Sequence, residues 1–317
     1  MSNEMWRIIG RHIGQIIIVL VGISFITFAL VTLAPGDTAK LMIVGNQDIV
    51  VSQEEIEAVR HEYGLDQPFM VQYGNWLVKA VQGDLGYSYM SKMPVTEKIF
   101  ASLPATILLA CTSIIMMLVV SIPAGIYAAV KSDKWADYII RITTFWGVSI
   151  PNFWLGLILL WIFGLKLRLV PIVGGNVNFE SIILPAATLA IVMASKFTRQ
   201  VRAMILEQLN EDYVVGARAR GMSERYILWR EVLPNALLPL ITLVGLSLGN
   251  LLGGTAVVEI VFGWPGLGRL AVDSIMYRDF FTIQGIVLWI ALMYMIINMI
   301  IDALYLILDP RLKKGGI

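Results

Sequence analysis

Six stretches of this chain are apolar for about as long as a helix needs to cross a bilayer, roughly 20 residues each. They run over 13–33, about 104–130, about 138–165 with Pro151 inside, about 182–197, about 237–258 and about 283–308. Within lipid such runs have to be helices, because no water is there to satisfy a bare backbone. Composition agrees. The chain is 57% hydrophobic and 15% charged, where a soluble chain sits nearer about half apolar and about a quarter charged.

Basic residues set the expected orientation. With the N-terminus in the cytoplasm, the inner segments hold 15 of the 24 Lys and Arg, among them Arg7, Lys131, Arg202 and Arg230. The other nine lie outside and are outnumbered there by acids. Both termini are then inside, as an even number of spans requires. Arg7 and Arg11 before an apolar stretch resemble a signal peptide. The stretch is about twice as long as a signal core and no small-residue cleavage site follows it cleanly, so it reads as an uncleaved first span.

Several functions are excluded by what the chain carries. A net charge of +1 offers no basic field for nucleic acid. One cysteine, Cys111, permits no internal disulfide. His12 and His61 are too far apart for metal-ligand spacing or for a Ser-His-Asp arrangement, so no catalytic and no metal residues are assigned. The stretch 125–131 is faintly like a phosphate loop, but Val130 stands where glycine should precede the lysine. No ATPase signature is present.

Two loops are long. The outer one, 35–103, reads as folded. Ser52 and Glu55 have capping-box spacing, Ile56, Val59 and Tyr63 mark one helical face, and Gly64 stops the helix. Pro68 then suits a first turn, with Phe69, Tyr73, Trp76, Leu77, Ala80 and Val81 on one side and Gly83 at the end. Such a helical cap can be a gate or a packing lid. The inner loop, 196–236, reads as a helix over about 212–220 stopped at Gly221, then a second helix from Glu224 to Leu233 capped by Ser223 and ended by Pro234, which could equally start the fifth span. Gly216, Ala217 and Ala219 would let a partner surface approach the first helix closely, as docking into a groove requires. A solvated basic loop is the plainer alternative.

The order of residues in that loop carries more than its composition. Ala217-x-Ala219-x-Gly221, followed by Leu233-Pro234, resembles the "EAA" coupling loop of ABC importer permeases. Gly216 stands where the loop's name expects glutamate, which the peptide-type branch also commonly lacks. The resemblance extends to Tyr63-Gly-Leu-Asp-Gln-Pro68, Gly83-Asp-Leu-Gly-Tyr-Ser88, Asn235-Ala-Leu-Leu-Pro239, Glu259-Ile-Val-Phe-Gly-Trp-Pro-Gly-Leu-Gly268 and Asp309-Pro-Arg311. These blocks, in order, are similar to peptide and nickel permeases over nearly the whole chain.

The resemblance implies an all-α polytopic membrane protein: six transmembrane helices in the type I ABC importer permease fold, with a small helical extracytoplasmic region, treated as one domain over 1–317. It implies a bacterial cytoplasmic membrane location and a subunit without enzymatic activity. Its partners would be a second homologous permease, two ABC ATPase subunits that bind the ATP and Mg, an extracytoplasmic substrate-binding protein and the lipid bilayer; the chain itself would carry no cofactor. Tyr213, Gly216, Ala217, Arg218, Ala219, Arg220 and Gly221 would couple to the ATPase. Trp264, Pro265, Gly266 and Gly268, a tight outer turn, would either lie where the binding protein docks or be a structural turn.

Polar groups in lipid tend to face an interior cavity. Asn152 beside the Pro151 break, and Ser247 and Asn250 in the fifth span, are therefore pathway candidates, with Gly249 and Gly253 on a glycine stripe that also suits helix packing. For the substrate, two readings stand. Gly147-Val-Ser-Ile-Pro-Asn-Phe-Trp-Leu155 and Leu65-Asp-Gln-Pro-Phe-Met-Val-Gln-Tyr73 resemble nickel-type permeases and favour nickel, as a chelate since no His or Cys cluster offers ligands. Short peptides are the alternative.

Overall fold

The computed structural model of the chain describes residues 2–33, 36–44, 50–171 and 177–308. The terminal block Asp309-Pro-Arg311 lies outside them. The described residues are almost wholly helical, with one two-residue antiparallel ladder. Four continuous helices are long and apolar enough to cross a membrane, α1 (Ser2–Leu33), α5 (Val95–Val130), α8 (Phe179–Leu209) and α14 (Phe280–Leu308). Two bent helix pairs bring the number to six if each is one span.

The third apolar stretch is bent by 101° between α6 (Trp135–Ser149) and α7 (Asn152–Leu159), which continues as a π-helical turn to Lys166. Pro151 causes the break. Its ring disfavours helical backbone in the residue before it, and Ile150 is extended with φ −87° and ψ 126°. Two arms of about 22 Å each at near right angles make a broken or re-entrant passage at the interruption that Pro151 led one to expect.

Other boundaries shift for equally local reasons. Pro104 opens the apolar run of α5 but not the helix, which starts at Val95. The fourth span runs on to Leu209, well past the first charges, because Phe197, Val201 and Ile205 continue a buried stripe at fourfold spacing. Pro234 does not end a helix. The chain stays helical from α10 (Glu224–Tyr226) through a π-helical turn, Ile227–Val232, into α11 (Leu233–Gly254). A π-turn is a known site of helix bending, and with Pro239 further along it accompanies a 47° bend.

Contacts cluster in two compact units, Met1–Thr106 with Pro265–Ile296, and Ile107–Trp264 with Ile297–Ile317. In the first, α2 (Thr38–Val44), α3 (Gln53–Glu62) and α4 (Phe69–Val81) form the helical cap expected from the long loop after the first span. Ser52 and Glu55 make the expected capping box, and Ile56 is buried while Tyr63 is exposed. Helix α4 buries Tyr73 and Trp76 against α1. Phe25 and Phe28 meet Tyr73 edge-on at 5.2 and 5.6 Å, and Ser24 Oγ lies 2.9 Å from the Tyr73 hydroxyl. A short hairpin, β1 (Tyr87–Ser88) with β2 (Met93–Pro94), closes the cap. Ser88 and Thr282 donate to the buried Asp279 carboxylate at 2.5 and 2.7 Å, and Lys98 approaches it at 3.4 Å.

The second unit is organised around α8. Gly125 on α5 and Gly147 on α6 lie so close to it that a Cβ would sit 2.6 Å from Val201 Cβ and 2.9 Å from Ser195 Cβ respectively. Gly156 on α7 likewise leaves room for Phe262, just beyond α12 (Ala256–Val261). On α11, a Cβ at Gly245 would overlap the Ile301 side chain. These close approaches are what small residues permit between apolar helices.

Candidate functional site

Helix α9 (Asp212–Ala219) is short and ends in a complete Schellman motif. Gly221 N–H donates to Arg218 O at 2.9 Å and Met222 N–H to Ala217 O at 3.2 Å, with Gly221 at φ +78°. Only glycine adopts that backbone without strain. Ser223 then caps α10 through the Tyr226 N–H. Glu224 in α10 receives Arg218 through both oxygens, Nε to Oε1 at 2.7 Å and Nη2 to Oε2 at 3.2 Å. The carboxylate holds the Arg218 guanidinium above its ordinary pKa.

That arrangement sorts the residues expected to couple. Val214 and Ala217 are fully buried, against the turn that carries the buried Ile227 and Val232. Ala217 therefore faces this chain's own interior. Tyr213 is half-buried; its hydroxyl lies 2.9 Å from Gln208 Oε1, and burial pushes the phenol pKa up. Gly216, Arg218, Ala219, Arg220 and Gly221 are exposed, and a Cβ at Gly216 or Gly221 would meet nothing within 4 Å. Exposed Val215, Tyr226 and Trp229 lie on the same segment. The result is a rigid helix-turn-helix with one apolar face inward and a second, small-residue face open.

Asn152 and Ser247, from distant parts of the sequence, line one cavity of about 370 Å³ with Lys196 and Gln200 of α8. Val148, Leu189, Met193 and Leu243 supply part of its apolar wall. Lys196 and Gln200 were not legible as lining residues, because the apolar run ends near Lys196. The signal available was their helical spacing of four, three and four residues from Leu189 through Met193 and Lys196 to Gln200, a stripe distinct from that of Phe197, Val201 and Ile205. Gly249 is half-buried and is not part of the lining. Asn250 and Gly253 fall in α11, but their side-chain surroundings lie outside the described residues.

The outer turn is packed inward. Trp264 is fully buried, Gly266 and Gly268 are buried, and only Pro265 is partly exposed. Gly263 at φ +64° and the Trp264 N–H bond to Glu259 O at 2.7 Å close α12, while Leu267 N–H at the start of α13 (Leu267–Met276) donates to Thr106 Oγ1 at 2.7 Å. This burial fits the structural alternative for the turn better than docking. Glu259, also fully buried, accepts from Thr255 Oγ1 at 2.9 Å, a burial that its place in an outer block did not signal. Among the described residues, no group of three or more His, Cys, Asp or Glu side chains comes together as metal ligands.

Residues 121–314 match the family described as "Binding-protein-dependent transport system inner membrane component". Residues 5–110 match "Binding-prot-dependent transport system membrane comp, N-term". The chain is 37% identical to the probable D,D-dipeptide transport system permease protein DdpB of Escherichia coli (strain K12), over 98% of each. It is 39% identical to the glutathione transport system permease protein GsiC of Escherichia coli O6:H1, over 96% of this chain and 98% of that one. It is 42% identical to the oligopeptide transport system permease protein AppB of Bacillus subtilis (strain 168), over 93% and 95%. Among solved structures, the inward-facing MetNI methionine ABC transporter aligns with a TM-score of 0.55 at 16% identity, over 67% of this chain and 96% of that chain. That likeness establishes the fold alone.

Proposed function

The chain belongs to the binding-protein-dependent transport inner-membrane components, the permeases of ABC importers, and from that premise we propose that it carries short peptides across the bacterial cytoplasmic membrane. The observation that carries the substrate class is the identity of 37–42% to permeases named for D,D-dipeptide, glutathione and oligopeptide, over nearly the full chain. Those names support the peptide alternative better than nickel, which two short segments had favoured.

In this reading the N- and C-termini are cytoplasmic, in keeping with the inner bias of Lys and Arg. Two ATPase subunits bind ATP and Mg, a second homologous permease completes the pore, and a binding protein delivers substrate outside. Helix α9 docks on an ATPase subunit through Gly216, Ala219 and Arg220, with Val215 beside them. A stiff connection suits that role. Force applied to α9 reaches α10 and α11 through the Arg218–Glu224 pair, and the buried Val214 and Ala217 keep α9 seated on the segment that leads into α11. Alternating access then follows from closure of the ATPases, a rigid-body displacement that bent, glycine-packed helices can accommodate.

The test is uptake of radiolabelled di-, tri- and tetra-alanine in cells lacking the gene, with and without a plasmid copy. Restored peptide uptake supports the reading. Restored nickel uptake with unchanged peptide uptake refutes it.

A further inference from the structure

Lys196, at the inner end of the fourth apolar stretch, is exposed on α8 and lines the cavity shared with Asn152 and Ser247. It lies six residues before Arg202 on α8, about 9 Å along the helix axis. Arg202 is paired with Asp137, three residues into α6. At the level of Lys196, α8 packs on Gly147, near the far end of α6. The lysine is thus one to two turns along α8 from the Arg202–Asp137 pair, on the side of the Gly147 contact. No carboxylate among the described residues pairs with it. A cation on a membrane-spanning helix that faces a cavity is by default a candidate for a substrate or ion path.

Its neighbours in the cavity define what would complete it. Gln200 and Asn152 line the same space and make no side-chain hydrogen bond among the described residues, so each offers an amide donor and an amide acceptor. Ser247 spends its proton on Leu243 O at 2.7 Å and has lone pairs left to accept. The cavity therefore presents one positive charge, two open amides and one acceptor, set in apolar walls. Its volume of about 370 Å³ falls in the small-molecule range of ~300–1,000 Å³. A free carboxylate attached to peptide bonds matches that set: the carboxylate for Lys196, backbone N–H and C=O groups for the amides and the serine oxygen.

We propose that Lys196 is the counter-charge for the C-terminal carboxylate of a peptide in transit, with Asn152, Gln200 and Ser247 holding its adjoining backbone. This rests on the peptide reading above. The experiment uses cells lacking the gene, complemented with wild type, Lys196→Gln, Lys196→Glu or Lys196→Arg at matched membrane levels, and radiolabelled di-, tri- and tetra-alanine. Lys196→Gln and Lys196→Glu should lower uptake at least tenfold, while Lys196→Arg keeps at least a third of it. In a Cys111→Ser background, Lys196→Cys should react with a water-soluble maleimide in membranes, and trialanine should slow that reaction. Uptake by Lys196→Gln within twofold of wild type, equal loss in Lys196→Arg, or an unreactive or unprotected Cys overturns the assignment while leaving the peptide reading in place. Failure of wild type itself to take up any of the three peptides overturns both.

Discussion

Arg202 grips Asp137 with two parallel hydrogen bonds, Nε to Oδ1 and Nη2 to Oδ2, each 2.6 Å, between α8 and α6. The carboxylate is fully buried and also accepts the Asp133 N–H at 3.1 Å. A bidentate fork of this kind fixes orientation as well as charge.

Removing one partner should hurt more than removing both. Asp137→Ala strands a largely buried guanidinium, at a cost of about 3–5 kcal/mol, whereas a paired apolar replacement is often near neutral. Thermal unfolding of the purified protein in detergent should show a large loss for Asp137→Ala and a small one for Asp137→Leu with Arg202→Met. Equal losses in the two would contradict this.

Gly147 tests the α6–α8 contact in another way. A methyl group there would overlap Ser195 Oγ and come within 2.9 Å of Ser195 Cβ. Gly147→Ala should therefore destabilise by about 1–3 kcal/mol, the usual cost of overpacking. Ser195→Gly should restore most of that loss in the double variant, and the rescue can be read from the unfolding temperature. A Gly147→Ala protein as stable as wild type would mean the helices are further apart.

The two glycines of the inner loop should behave oppositely. Gly216 is helical and open, so Gly216→Ala should stabilise this chain, by up to ~1 kcal/mol from helix propensity. Any loss of uptake in that variant then reports on the approach of a partner. Gly221 sits in left-handed backbone, and a Cβ there would meet nothing within 4 Å. Gly221→Arg should insert normally yet hydrolyse ATP without uptake, measured as the ratio of the two rates in membranes. Normal uptake would remove the loop from the coupling path.

Tyr73 joins the helical cap to α1. Tyr73→Phe keeps the ring contacts and loses the Ser24 hydrogen bond, for about 0.5–1.5 kcal/mol. Trp76→Ala should cost about 3–5 kcal/mol. If protease sensitivity of the cap rises with Trp76→Ala alone, the ring packing is what seats it; equal sensitivity in both variants would assign that role to the hydrogen bond.

Much of the helical architecture was legible because a bilayer-length apolar run is a strong, local signal. The capping box at Ser52 and the stop at Gly64, Gly83 and Gly221 were readable for the same reason, since each depends on a few adjacent residues. The 101° bend was only half legible. Pro151 announces a break, but its angle depends on how α7 packs against α8 and the Phe262 segment. The extension of α8 to Leu209 was hidden because charge was taken to end the span, while the Phe197–Val201–Ile205 stripe continued under it. The cavity was hidden more deeply. Asn152 and Ser247 stood out as polar residues in lipid, but Lys196 and Gln200 join them only once three helices have packed. The inward turn of Ala217 and Trp264 also needed the fold, because small and aromatic residues suit packing and docking equally well.

The most direct measurement is peptide uptake in cells whose copy of this gene is replaced by wild type, Gly221→Arg or nothing, with ATP hydrolysis measured in membranes from the same cells. An ABC peptide permease should give peptide uptake with wild type alone and uncoupled ATP hydrolysis with Gly221→Arg. Peptide uptake that is unchanged when the gene is absent would contradict it.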